Sequence, residues 1–395
     1  MQSVGSLQMK KQRVLMRVDF NVPLRDGMVS DDFRIRASLP TINYCLERGC
    51  SIVLMSHLGR PHGRRVPELS LLPVGEALSD LMEKPLKFSD DCISDEAISV
   101  SRDLLPGEVH LLENLRFYED ETRNDEKFSQ RLSKHGMVYV NDAFGTAHRA
   151  HASNVGVTHH FSQKAMGFLM EREYRYLHQV LKDPRRPLVM VLGGAKVRTK
   201  LSVISRFLRK ADCIIVGGGM AFTFLKARGF SVGKSLVEKE LVGTSGAILS
   251  KSEKLGVPFY LPRDIAFSRE VSSGLLDGEK NIGELVENET GVDIGSRTIE
   301  EYREVIRGSG TVVWNGPMGI FELPQFRKGT RALALSIAEV AGRGGISIIG
   351  GGDTAAAIRE LGLSEKMSHI STGGGAFLEL MSGKELPAFE TLEVG

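Results

Sequence analysis

The chain has 395 residues, 42% of them hydrophobic and 25% charged, with a formal net charge of +2. That length suggests two or three domains, and the composition is that of a globular protein with room for more than one core. The balanced charge argues against a dedicated nucleic-acid binder, and no apolar run reaches membrane-spanning length.

Cys45, Cys50, Cys92 and Cys213 form no Cys-x-x-Cys pair and fit neither a zinc pattern nor a disulfide framework. With no apolar leader in residues 1–11, reduced thiols and a cytoplasmic location are expected.

Arg13–Val18 reads as a buried strand, closed by Asp19-Phe20-Asn21-Val22-Pro23 because Pro23 cannot pair centrally. Asp31-Asp32 opens a helix that carries Arg34, with Leu39, Ile42 and Leu46 on its apolar face. Ser51–Met55 is the second strand and runs into Ser56-His57-Leu58-Gly59-Arg60-Pro61. Val109–Leu112 is the third and runs into Glu113-Asn114-Leu115-Arg116. Residues 137–140 form a fourth, followed by 141–151 with Arg149. Short apolar strands separated by helical patterns indicate a parallel sheet covered on both faces, which binds ligands beyond its carboxyl ends. Those ends carry Asp19, Asn21, His57, Arg60, Arg116 and Arg149, with Arg34 nearby. A single arginine is more often a solvated charge, and Arg64 and Arg65 are read that way. Basic groups at three successive strand ends point instead to a small polyanion, because guanidinium forks match carboxylate and phosphate. Asp19 and Asn21 suit its hydroxyl groups.

The pattern at 166–181 is helical, with Leu169, Leu177, Val180 and Leu181 apolar, and Asp183-Pro184 and Pro187 stop it. Beyond it the strand ends change from arginines to glycines, so the domain boundary is placed on this helix.

Four glycine clusters follow strands in the second half: Gly193-Gly194, Gly217-Gly218-Gly219, Gly350-Gly351-Gly352 and Gly373-Gly374-Gly375. Glycine loses the most chain entropy on folding, so such runs need a reason. Bare backbone at a helix N-terminus suits phosphate. Asp353 and Thr354 fall in a first helical turn, where a carboxylate can hold phosphate-bound Mg²⁺ or simply cap the helix. No other acidic residue adjoins the clusters in sequence. Lys196 and Lys200, four apart, are read as sharing one face at a helix start, where lysines oppose the dipole and are sensible if phosphate sits there. Neither Gly-x-x-x-x-Gly-Lys-Ser/Thr nor Gly-x-Gly-x-x-Gly occurs in the clusters. Phe222, Phe224, Leu225 and Trp314, the one tryptophan, are read as core. Thr298-Ile299-Glu300-Glu301 looks like a capping box before a helix through Ile306. Strand 311–314 runs into Asn315-Gly316-Pro317, and Glu322 beyond it suits a ribose hydroxyl. Leu386, Phe389 and Leu392 make the tail apolar enough to dock.

The whole set resembles the phosphoglycerate kinase family over nearly the full chain. The matching motifs are Arg17 to Pro23, Ser56 to Pro61, 141–151, Gly193 to Val197, Trp314 to Glu322, Gly350 to Thr354 and Ser371 to Ala376. Departures are minor: Lys11 stands where the family often has glycine, and Arg198-Thr199 fill variable positions.

The resemblance implies an α/β fold of two doubly wound parallel-sheet (Rossmann-like) domains facing across a cleft. The expected boundaries are 1–172 for a triose-binding domain and 173–395 for a nucleotide-binding domain. A hinge helix would lie at about 166–182, and the tail at about 380–395 would dock on the first domain. It implies reversible, Mg²⁺-dependent transfer of the acyl phosphate of 1,3-bisphosphoglycerate to ADP, with domain closure. By this likeness Asp19, Phe20, Asn21, Arg34, His57, Leu58, Gly59, Arg60, Arg116 and Arg149 bind the triose. Lys196, Lys200, Asn315, Glu322, Gly351, Gly352, Asp353 and Thr354 bind the nucleotide, with Asp353 on the metal. Arg34, Lys196 and the N–H groups near Gly374 surround the transferring phosphoryl. The expected partners are 3-phosphoglycerate or 1,3-bisphosphoglycerate and ADP or ATP, with no nucleic acid, no membrane and a monomeric state. No fused isomerase is expected after Gly395. The alternatives are a catalytically silent, nucleotide-responsive protein of the same fold and a kinase for another small carboxylate. The first is disfavoured by the presence of Arg34, Lys196 and Asp353, and the second by the full triose-binding set.

Overall fold

The structure, a computed structural model, describes residues 1–393; Val394 and Gly395, the end of the expected second domain, lie outside the described residues. The chain divides into two compact units, Met1–Arg175 together with the stretch from Glu385 onward, and Tyr176–Lys384.

The first unit holds β1 (Arg13–Val18), β2 (Leu24–Arg25), β3 (Met28–Val29), β4 (Ser51–Met55), β5 (Lys87–Ser89), β6 (Val109–Leu112), β7 (Val138–Asp142) and β8 (Lys164–Met166). Its sheet runs β5-β6-β4-β1-β7-β8, all parallel, and β2 and β3 form a separate hairpin. The strands β4, β6 and β7 are buried at every position, as a sheet covered on both faces requires. The strand expected at 137–140 is displaced towards Asp142, because Met137 is solvent-exposed and Asp142 still pairs with Val18.

The helix Phe33–Glu47 buries Ile35, Ser38, Thr41, Ile42 and Cys45. Leu39 and Leu46, expected on its apolar face with Ile42, pack against the core but are only partly buried. Small side chains at Ser38 and Thr41 occupy the contact that leucine counting misses.

The chain's last described turn belongs to this unit. Ala388 donates its N–H to the Ala147 carbonyl at 3.1 Å. The Phe389 ring lies 5.1 Å from Tyr174 and 6.3 Å from Phe144, and Leu386 and Leu392 are buried.

The second unit holds β9 (Leu188–Leu192), β10 (Cys213–Val216), β11 (Phe259–Tyr260), β12 (Asp264–Ser268), β13 (Gly278–Asn281), β14 (Thr290–Ile294), β15 (Thr311–Asn315), β16 (Ile346–Gly350) and β17 (His369–Ile370). The main sheet is parallel in the order β11-β10-β9-β15-β16-β17, beside an antiparallel sheet β13-β12-β14. The order reverses between β9 and β15, which is where open α/β sheets bind ligands. Trp314, Phe224, Phe222 and Leu225 are buried. Among the described residues no helix is long and apolar enough to cross a membrane.

Two local expectations are overturned here. Lys196 and Lys200 do not share a helical face. A loop and the turn Arg198–Lys200 precede the helix Leu201–Phe207, leaving Lys196 exposed and Lys200 buried. Buried Val197 pins the loop, and Glu238 accepts the N–H groups of Val197 and Arg198. Nor do Thr298 and Glu301 form a capping box. The helix Ser296–Arg307 starts at Gly295, and Asp264 of β12 accepts the N–H groups of Arg297 (3.0 Å) and Thr298 (2.8 Å). A carboxylate from a neighbouring strand replaces the local cap.

Candidate active site

The carboxyl ends of β1, β4, β6 and β7 meet in one polar cluster. Past β1, Asp19 is buried and pairs with Arg34 at 3.2 Å. Arg34 Nη1 also donates to the Asn21 carbonyl at 2.9 Å, so the first helix is tied to the loop after β1. Asn21 Oδ1 accepts the Gly59 N–H at 2.9 Å, and Ser56 Oγ accepts the Phe20 N–H at 2.9 Å, joining that loop to the one after β4. Leu58 is buried, and its carbonyl accepts from Asn114 Nδ2 at 2.7 Å. Gly59 has φ +62°, and a Cβ there would lie 2.8 Å from Leu69 Cδ2, so glycine takes this turn without strain.

Past β6, Arg116 is buried, and its Nη1 donates to the Gly59 carbonyl at 2.7 Å while its Nη2 has no hydrogen-bond partner. Arg60, Arg116 and Arg149 line one cavity of about 440 Å³, with His62, Tyr118 and His151. Burial, and then Arg149 and Arg17, push the Arg116 pKa down to about 10, which leaves it charged at neutral pH. His57 is pushed well below the ordinary imidazole value by burial first and then by Arg17, Arg116, Arg149 and Arg34. A neutral imidazole among guanidinium groups is ready to donate a hydrogen bond without adding charge.

In the second unit the backbone carries most of the construction. Gly193 donates to the Asn315 carbonyl at 2.9 Å, Gly194 to Pro317 at 2.7 Å and Gly218 to Met318 at 3.0 Å. These bonds lace the ends of β9, β10 and β15 at the reversal of strand order. A Cβ on Gly218 would lie 2.5 Å from Gly194 N, and one on Gly316 2.3 Å from Gly193 C. A side chain at either position would meet backbone, so crossing chains require glycine there, and Gly194, Gly218 and Gly219 also line a cavity. Gly352 differs: nothing lies within 4 Å of a Cβ built on it. It opens the helix Gly352–Glu360 with free backbone above it. Gly374, at the start of the next helix, lies near it, its Cβ position 3.7 Å from Gly352 N.

Asp353 is exposed in the first turn, and the N-cap is Gly351, so Asp353 does not cap this helix. Thr354 Oγ1 accepts the Gly316 N–H at 2.7 Å, fastening the helix to the loop after β15. Asn315 Nδ2 is buried and has no hydrogen-bond partner, although a Cβ on Gly351 would come within 2.9 Å of it. Lys200 has its pKa lowered by burial, against the pull of Asp353 and Glu238. A second cavity of about 350 Å³ is lined by Gly218, Phe222, Leu236, Asp293, Glu322 and Asp353, among others. Lys196 is exposed and does not line it.

A sequence model described as phosphoglycerate kinase matches residues 4–384. The chain belongs to the phosphoglycerate kinase family. The phosphoglycerate kinase of Rippkaea orientalis is 47% identical over 382 residues, 97% of this chain and 96% of that protein. That of Dictyoglomus turgidum is 48% identical over 385 residues, 98% and 96% of the two chains. Among solved structures, phosphoglycerate kinase from Coxiella burnetii is 40% identical with a TM-score of 0.87, covering 99% of this chain and 98% of the other. Phosphoglycerate kinase from Pyrococcus horikoshii is 34% identical with a TM-score of 0.88 at the same coverage. The α/β fold with two Rossmann-like domains expected from the sequence is that of the phosphoglycerate kinases.

Sequence reading missed several groups beside these sites. Glu238 and Asp293 adjoin the glycine loops in space, although no acidic neighbour other than Asp353 was apparent in sequence. Burial raises the Asp293 carboxyl to about 7, opposed by the N–H groups of Gly329 and Ile294. Asp142 ends β7, and its Oδ1 accepts the N–H groups of Leu169 (2.9 Å) and Met170 (3.2 Å) at the start of the helix Phe168–Lys182. The run Asn141-Asp142 at a strand end was the only available signal for it.

Proposed function

We propose that the arginine cluster of the first unit holds the triose and the glycine-laced loops of the second hold the nucleotide. The reaction is the reversible transfer of the acyl phosphate of 1,3-bisphosphoglycerate to ADP, giving ATP and 3-phosphoglycerate. The observation that carries the assignment is Arg116, a buried guanidinium whose Nη2 lacks a partner beside a cavity shared with Arg60 and Arg149. A buried donor of this kind is costly unless an anion completes it.

In this reading Arg60, Arg116 and Arg149 grip the anionic ends of the triose. Asp19 and Asn21 meet its hydroxyl, and His57 donates to it. Phe20, Leu58 and Gly59 supply the backbone that shapes the turn. Glu322 takes the ribose. The N–H groups at Gly351 and Gly352 face phosphate, with Lys196, Lys200, Asn315 and Thr354 around them. Phosphoryl transfer needs no covalent nucleophile, only position and charge stabilisation. Arg34, Lys196 and the Gly374 N–H are assigned to the transferring group. Triose and nucleotide are gripped by different units, so the reaction needs a closed arrangement, which also keeps water from the acyl phosphate.

Among the described residues no group of three or more His, Cys, Asp or Glu side chains is arranged to hold a metal ion. An exposed Asp353 beside open backbone fits an ion carried mainly by the nucleotide, since Mg²⁺ takes one or two carboxylates plus phosphate oxygens. Bound there, Mg²⁺ would neutralise charge on the phosphates. We place the protein in the cytoplasm as a monomer; its four cysteines are all free and buried. The test is a coupled assay with ATP and 3-phosphoglycerate, with and without Mg²⁺. Turnover that requires both substrates and the metal is expected, and no turnover with 3-phosphoglycerate would overturn the reading.

A further inference from the structure

We propose that Arg17 is a positioning residue of the triose site: buried behind it, Arg17 fixes His57 as the neutral tautomer with its proton on Nε2, so the imidazole meets the anionic triose as a single donor.

Arg17 lies on β1 and is fully buried. A guanidinium has donors only. Its Nη2 stands 3.1 Å from His57 Nδ1, so that contact is an N–H donated to the Nδ1 lone pair. The ring proton must then sit on Nε2. Protonating Nδ1 would set two donors against each other and place a second positive charge beside Arg17. The other charged groups around His57 are the cations Arg34 on the first helix, Arg116 after β6 and Arg149 after β7. The loop after β1 carries one carboxylate, Asp19, which is paired with Arg34.

Arg17 is itself oriented. Its Nε donates to Ser153 Oγ at 2.8 Å, and its Nη1 donates to the Val18 carbonyl. Ser153 Oγ donates onward to Glu121 Oε1 at 2.6 Å, and Ser153 N donates to Oε2 at 2.9 Å. Glu121 is fully buried and provides the counter-charge through the serine hydroxyl. His151, which lines the arginine cavity, stands 3.7 Å from the same carboxylate. Apolar residues of equal volume commonly stabilise a core as well as a buried ion pair does. The use of this pair is therefore sought in the ring nitrogen at which it ends.

The inference rests on the reading of His57 as a triose ligand. The deciding experiment is ¹⁵N NMR of the full-length, histidine-labelled protein without ligand, from about pH 5.5 to about pH 8, across the ordinary imidazole range. His57 is assigned by its loss in His57→Gln. An Nε2–H imidazole that does not titrate over this range is expected. An Nδ1–H tautomer, or titration near the ordinary imidazole value, overturns the inference. Arg17→Met should raise KM for 3-phosphoglycerate about tenfold or more, change kcat less and let His57 titrate, with Arg17→Lys restoring part of the effect. Should Arg17→Met not fold, the wild-type spectrum still decides. Calorimetry with 3-phosphoglycerate separates the two readings. Unchanged binding to His57→Gln overturns the ligand reading, and with it the inference. Weakened binding together with an Nδ1–H wild-type spectrum overturns the inference alone.

Discussion

Arg34 and Lys196, the two cations assigned to the transferring phosphoryl, are held very differently. Arg34 is braced by Asp19 and the Asn21 carbonyl, whereas Lys196 is exposed on a loop whose neighbours Val197 and Arg198 are pinned by Glu238. Both should act on the transition state. Alanine at either position is expected to lower kcat about a hundredfold or more in steady-state assays. An effect confined to KM would show that they serve ground-state binding only. Asp353 offers a cleaner substitution, because it makes no cap to its helix. Asp353→Asn should leave stability near normal and keep binding of metal-free ADP. It should remove most of the preference for MgADP, read by calorimetry with and without Mg²⁺. A full Mg²⁺ enhancement in the variant would place the metal elsewhere.

Helix starts are where the elements of this protein depart most from what a sequence can tell. The parallel sheets are legible because strands such as Ser51–Met55 and Leu188–Leu192 are unbroken apolar runs, buried at every position. Arg60, Arg116 and Arg149 are legible because each follows such a run. Caps drawn from distant residues are not: Asp264 serves a helix more than thirty residues on, and Asp142 serves one twenty-seven residues on. Glycine patterns are legible only as glycine, and the sequence cannot separate Gly218, forced by Gly194, from Gly352, open to a ligand. The Asp142 cap has a measurable cost. Burial raises its carboxyl from 3.8 to about 7, against the hydrogen bonds of Thr41, Met170 and Leu169. The folded chain then keeps a proton that the unfolded chain has released. This contribution to stability is present below about pH 4 and lost as pH rises through about 7. Asp142→Asn keeps an acceptor for the helix N–H groups and removes the titration. From about pH 5 to about pH 8 the variant should gain on the order of 2 kcal/mol relative to wild type in the first unit's denaturation curve. A constant difference would show that Asp142 is ionised when folded.

Across the whole molecule, a net charge of +2 conceals strong local fields. Arg17, Arg34, Arg116 and Arg149 all act on one imidazole. Binding of 3-phosphoglycerate should therefore weaken as ionic strength rises through the physiological range, and salt-independent affinity in a titration would contradict the arginine assignment. The placement of the tail reaches beyond binding, into biosynthesis. The first unit is contributed by both ends of the chain, with the whole of Tyr176–Lys384 intervening. On the ribosome, the surface of Phe144 and Tyr174 that receives Phe389 waits while roughly 200 further residues are added, about 10–40 s at ordinary elongation rates. The second unit is continuous in sequence and has no such wait. The part of the protein translated first is thus the part that can be completed last.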